Sequence, residues 1–177
     1  MTKTKNTAIK SKNLIAVFIT KIFMIKNYII NQPTELRAVA KDLLNLALEL
    51  ENKNPQAVVV ALVGDLGVGK TALVKALANK LGITETITSP TFNIIKLYPV
   101  LGEGRIKRLV HIDAYRIENI EEIRPLRLAE FLAEPSNLVC LEWPEKIVSA
   151  LPEQYLKVSM EIMENEARRV EISTEKI

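Results

Sequence analysis

The pattern of apolar and polar positions divides the chain from residue 26 onward into alternating short elements. Residues 26–30 (KNYII) predict a first strand. Pro33-Thr34-Glu35 then opens a helix, with Thr34 as the expected N-cap. Leu36, Val39, Leu43, Ala47 and Leu50 follow at helical spacing and give one buried face, and Asn52–Pro55 ends it. Ala57–Val63 (AVVVALV) is a continuous, largely β-branched apolar run, the pattern of a strand covered on both faces in a parallel sheet. A glycine-rich turn, Gly64–Gly69, leads into a second helix over Lys70–Leu81, with Leu73, Leu77 and Leu81 on one face and Gly82 as its stop.

The second half changes rhythm. Ser89-Pro90-Thr91 reads as a loop, and Phe92–Tyr98 as a strand turned back through Leu101–Gly104 onto Ile106–Ile112. Glu118–Ile123 and Arg127–Ala133 predict short helices, Asn137–Leu141 another buried strand, and Glu145–Ala150 a short helix or turn. Tyr155–Ile162 and Arg168–Ser173 alternate as a closing antiparallel pair. The order predicts one α/β domain over residues 26–177, with a mostly parallel central sheet, flanking helices and antiparallel edge strands. No internal repeat or linker interrupts it.

The glycine-rich turn carries the first chemistry. Gly64-Asp65-Leu66-Gly67-Val68-Gly69-Lys70-Thr71 matches the phosphate-binding pattern G-x-x-x-x-G-K-[ST]. Glycines let the backbone turn tightly and aim successive N–H groups at phosphate oxygens, and the following helix adds its N-terminal partial positive charge. Lys70 can reach the β- and γ-phosphates, and the Thr71 hydroxyl can ligate Mg²⁺. Ala72 has no side-chain hydroxyl and can contribute only its N–H. The motif lies between a buried strand and an amphipathic helix, the context a P-loop requires, so ATP and Mg²⁺ are the expected ligands.

Such a site needs a carboxylate at the end of a buried strand. Asp113, after Leu109–Ile112, and Glu142, after Leu138–Leu141, both qualify, and the pattern does not rank them. His111 lies two residues before Asp113 and is expected to face the same way, with a packing or loop-orienting role. Cys140, the one cysteine, sits in an apolar run and reads as a buried small hydrophobe.

Composition sharpens the picture at the N-terminus. The formal charge is +3, but the first 23 residues hold Lys3, Lys5, Lys10, Lys12 and Lys21 and no acid. The remaining 19 basic side chains face 21 acidic ones, a balance of −2, so the domain is not read as a nucleic-acid binder on charge. Residues 1–25 are expected to be a basic extension, disordered or, for residues 1–23, upstream of a true start at Met24. They hold no uncharged run near the ~20 residues of a membrane helix. The protein is expected in the cytoplasm.

Four motifs in order, Gly64–Thr71, Ser89-Pro90-Thr91-Phe92, His111-Ile112-Asp113-Ala114-Tyr115-Arg116 and Glu142-Trp143-Pro144-Glu145, resemble the bacterial TsaE (YjeE-like) family, the ATPase components of tRNA threonylcarbamoyladenosine biosynthesis. The likeness runs from about residue 26 to residue 173. It implies a P-loop α/β fold that binds ATP, hydrolyses it weakly and uses Mg²⁺. It implies a first switch at Ser89–Phe92 with Thr91 sensing the γ-phosphate and metal, a switch or catalytic acid at Asp113, a metal-associated Glu142, and Trp143 beside the nucleotide. It also implies two partners, TsaD-like and TsaB-like, the first of which performs the transfer to tRNA. Two other readings stand beside it: a small-molecule P-loop kinase whose lid would use Arg124 and Arg127, and a non-catalytic module that docks when nucleotide orders its switch.

Overall fold

The computed structural model describes residues 25–51 and 55–176. The expectations for the N-terminal extension and for Met24 fall outside these residues, as do Asn52 to Asn54 of the first helix's stop. Seven strands among the described residues form one sheet: β1 (Lys26–Ile30), β2 (Val58–Val63), β3 (Ile95–Pro99), β4 (Arg108–Asp113), β5 (Asn137–Glu142), β6 (Gln154–Ile162) and β7 (Arg168–Lys176). Their spatial order is β1-β7-β6-β2-β5-β4-β3. The central pairs β6/β2, β2/β5 and β5/β4 are parallel, and the flanking pairs β1/β7, β7/β6 and β4/β3 are antiparallel. The α/β class with a parallel centre and antiparallel edges is therefore as expected.

Among the described residues three α-helices flank the sheet: α1 (Leu36–Glu51), α2 (Lys70–Lys80) and α3 (Leu128–Ala133). Burial on both faces explains the unbroken apolar run of β2. Val58, Val60 and Leu62 enter a core shared with Leu43 of α1 and Leu73 and Leu77 of α2. Ala57 and Val59 enter the opposite core, with Ile117, Leu128 of α3 and Ile147. Burying each large aliphatic side chain contributes about 1.5–3 kcal/mol. At the sheet edge the Tyr28 hydroxyl donates to Asp42 Oδ2 at 2.7 Å, fastening β1 to α1.

Several local expectations are corrected. Thr34 does not cap α1. It lies inside a 3₁₀ turn, Pro33–Glu35, whose N-cap is Gln32, and Glu35 Oε2 instead accepts the Asn31 N–H at 2.7 Å. The strand expected from Phe92 begins only at Ile95, because Asn93 and Ile94 donate their N–H groups back to the Pro90 carbonyl and close a turn. Its partner starts at Arg108 rather than Ile106 and runs through Asp113, while the last strand extends to Lys176. The short helix expected over Glu118–Ile123 is a 3₁₀ helix over Ile120–Leu126, with Pro125 inside, and Arg127 is left-handed just before α3. Among the described residues no helix is long and apolar enough to cross a membrane.

Candidate functional site

The loop between β2 and α2 is shaped by its glycines. Gly64 has φ +146°, and a Cβ there would stand 2.4 Å from the Met160 carbonyl oxygen of β6. Only glycine lets the loop pass so close to the neighbouring strand. Gly69, at φ +117°, is the N-cap of α2 and offers no side chain to the helix's first N–H groups. Those groups, with the helix dipole behind them, form an anion-binding end. Val68 is buried in the core and pins the loop from below.

Lys70 is almost fully buried although charged. Its Nζ donates to the Gly64 carbonyl at 2.5 Å and to the Asp65 carbonyl at 3.0 Å. The same ammonium lies 4.1 Å from the centre of the Trp143 ring. Burial holds its pKa below the ordinary lysine value, and Glu142, Asp113, Glu145 and Asp65 act in the opposite direction.

Parallel pairing of β4 with β5 sets Asp113 directly beside Glu142. Both carboxylates are buried, and they have different partners. Glu142 Oε1 accepts the Thr71 hydroxyl at 2.8 Å and also meets His111 Nε2 at 2.8 Å. Asp113 Oδ2 accepts the Thr91 hydroxyl at 2.6 Å and the Ser89 hydroxyl at 3.0 Å, while Oδ1 accepts the Tyr115 N–H at 3.0 Å. One acid thus faces the start of α2 and the other holds the Ser89–Thr91 loop, a division that strand-end position alone did not reveal.

Two non-glycine residues here are left-handed, Ile94 at φ +61° and Trp143 at φ +61°. Each costs on the order of 1–3 kcal/mol and is held by surrounding bonds. Ile94 passes its carbonyl to the Asp113 N–H at 2.9 Å, and Trp143 donates its N–H to the Leu62 carbonyl at 3.3 Å. The left-handed turn lays the indole against both Lys70 and Tyr115, whose ring centre is 5.1 Å away. On the loop, Phe92 is exposed and stacks under the Arg116 guanidinium at 4.2 Å.

A cavity of about 250 Å³ opens on the outer side of the phosphate loop, lined by Gly67, Gly69 and Ala72 and, across from them, Ile30, Pro33 and Arg168. Sequence reasoning missed this wall, because it depends on β1 pairing with the distant β7, where Ile30 faces Arg168. It also left the His111–Glu142 contact unseen, for which strand register is needed.

Magnesium commonly takes one or two carboxylates, phosphate oxygens and waters, rather than a cage of protein ligands. No group of three His, Cys, Asp or Glu side chains placed to hold a metal occurs among the described residues. Thr71 and Glu142 instead present hard oxygens 2.8 Å apart at the start of α2, a donor pair that fits magnesium shared with a phosphate.

Comparison with known proteins agrees with this architecture. The family model described as "Threonylcarbamoyl adenosine biosynthesis protein TsaE" matches residues 30–170. The chain is 37% identical over 148 residues to the tRNA threonylcarbamoyladenosine biosynthesis protein TsaE of Nostoc sp., covering 81% of this chain and 88% of that one. It is 36% identical over 115 residues to the protein of the same name from Treponema pallidum, covering 65% and 81%. The crystal structure of YdiB from Bacillus subtilis superposes with a TM-score of 0.62 at 26% identity, over 85% of this chain and 86% of that one. With most of its length matched by the family model and its P-loop, paired strand-end acids and Ser89–Thr91 loop in one site, the chain belongs to the TsaE family.

Proposed function

We propose that this protein binds ATP with Mg²⁺ at Gly64–Ala72 and hydrolyses it slowly. In this reading it serves tRNA threonylcarbamoyladenosine formation in the cytoplasm alongside TsaD-like and TsaB-like proteins and does not carry out the transfer itself. tRNA is engaged indirectly, through that complex. The observation that carries the reading is the Thr71 hydroxyl on Glu142 at 2.8 Å, beside a glycine-rich loop whose carbonyls hold the buried Lys70 ammonium.

The backbone N–H groups of Gly67, Val68, Gly69, Lys70, Thr71 and Ala72 would cradle the phosphates, and Lys70 would exchange its two loop carbonyls for phosphate oxygens. Thr71 and Glu142 would hold the magnesium. When bound, that ion would offset charge developing on the phosphates during phosphoryl transfer. Thr91, held by Asp113 across a 2.6 Å bond, is placed to leave it for the γ-phosphate side. Asp113 then becomes available to orient the attacking water. The cavity beside Gly67 and Ala72 is large enough for the base, and Trp143, against Lys70, is not among its lining residues. Arg124 and Arg127 give no support to a kinase lid. Each is paired within its own turn, to Glu121 at 2.7 Å and Glu130 at 2.6 Å.

The test is Mg²⁺-dependent phosphate release from ATP by the protein alone and with its two partner proteins. Slow release that the partners stimulate, and that Lys70→Ala abolishes, is the expected result. Transfer to a small acceptor, or partner assembly indifferent to nucleotide, would contradict it.

A further inference from the structure

We infer that His111 is a positioning residue for Glu142, fixing the carboxylate on the metal side of the site. The inference rests on the nucleotide reading above.

His111 is completely buried, so its ring nitrogens are out of reach of bulk water. Its register neighbour on β5 is Cys140, two residues before Glu142. The ring therefore reaches diagonally across the strand pair, on the face that also receives α2, and Nε2 meets Glu142 Oε1 at 2.8 Å. A carboxylate can only accept, so Nε2 carries the proton. Nδ1 has no hydrogen-bond partner among the described residues. The imidazole therefore has one polar contact here, and it is spent on Glu142.

Thr71 donates to the same Oε1 from the other side. Two donors converge on one oxygen, which fixes the rotation of the carboxyl group and leaves Oε2 outside both bonds. The Thr71 hydroxyl gives its proton to Glu142 and keeps its lone pairs for a cation. His111 would act on the site only through the Glu142 carboxylate it bonds. Loss of such an outer partner typically lowers metal affinity about 10- to 100-fold.

The experiment compares wild type, His111→Gln and His111→Leu, using ADP as the probe. Mg²⁺ is titrated at fixed ADP, and ADP binding is measured separately in EDTA. Gln keeps an N–H donor of similar reach, and Leu keeps only bulk. His111→Leu is expected to raise the half-saturating Mg²⁺ concentration by about tenfold or more, with His111→Gln restoring most of the loss. Binding of ADP in EDTA is expected to be unchanged in all three. Equal shifts in Leu and Gln, no shift in Leu, or a parallel fall in EDTA would overturn the inference.

A second readout needs no variant to fold. Nitrogen-15 NMR of the nucleotide-free wild type is expected to show the Nε2–H tautomer, and an Nδ1–H signal would overturn the assignment. Wild-type protein that takes up no nucleotide would sink the nucleotide reading itself. Normal wild-type behaviour with an indifferent leucine variant would sink only the role of His111.

Discussion

The Lys70 ammonium lies 4.1 Å from the centre of the Trp143 ring while donating to two carbonyls of its own loop. Lysine and indole therefore report on each other. Trp143 is the only tryptophan in the chain, so its emission reads this contact without background. MgATP is expected to change that emission as Lys70 turns to phosphate. Lys70→Met should alter the spectrum of the nucleotide-free protein and erase the response to nucleotide. It should also weaken binding by about 1.5–3 kcal/mol, roughly tenfold to 150-fold, the value of a charge-assisted hydrogen bond. A wild-type emission indifferent to MgATP would count against the site.

Thr91 and Asp113 make a second, separable prediction. If Thr91 leaves Asp113 to meet the γ-phosphate, Thr91→Val should leave ADP affinity intact and weaken ATP by about 1 kcal/mol, several-fold. Calorimetric titration with each nucleotide distinguishes this from general damage, which would weaken both.

Two loop glycines should respond differently to alanine. At Gly64 the new Cβ meets the Met160 carbonyl at 2.4 Å and Val68 Cγ1 at 3.0 Å, so backbone must move. Gly67, at φ +80°, has nothing within 4 Å of a built Cβ. Gly64→Ala is expected to cost about 3 kcal/mol or more of folding stability, and Gly67→Ala only the left-handed penalty of about 1–2 kcal/mol. Urea midpoints of the two variants give the comparison, and equal losses would contradict it.

Acid should loosen β1 from α1. Hydrogen bonds from Tyr28 and then Lys26 hold the Asp42 carboxyl below its ordinary range, outweighing its desolvation. The folded state thus binds fewer protons at this site than the unfolded state, and stability rises with pH across the interval between the two values. The contribution is complete above the unfolded value near 4 and is lost as pH falls through the lower folded one. Tyr28→Phe should flatten this part of a stability profile measured from pH 2 to 6.

What the chain reveals before folding depends on how local each signal is. Ala57–Val63 and the glycine-lysine turn after it are read directly, because burial on both faces and the phosphate pattern lie within neighbouring residues. Thr34 misled because Pro33 begins a 3₁₀ turn, moving the cap back to Gln32. Phe92 resembled the start of a strand, but the Pro90 carbonyl draws in two following N–H groups and leaves the ring 83% exposed. Asp113 and Glu142 could be placed at strand ends but not told apart. Their separate partners, Thr91 in a loop and Thr71 in the first turn of α2, lie 22 and 71 residues away. The wall formed by Ile30 and Arg168 is further still from any local cue.

Strand order also has a bearing on biosynthesis. β2 lies between β5 and β6, and β1 hydrogen-bonds to β7, with Lys26 opposite Ile172. A polypeptide emerging from the ribosome therefore holds β2 without β5 and β6, and β1 without β7, until those later strands have been made. Pairings so distant in sequence close slowly. Gly64 meets the Met160 carbonyl only once β6 has been made, so the close passage of the phosphate loop past that strand waits for the whole stretch between them.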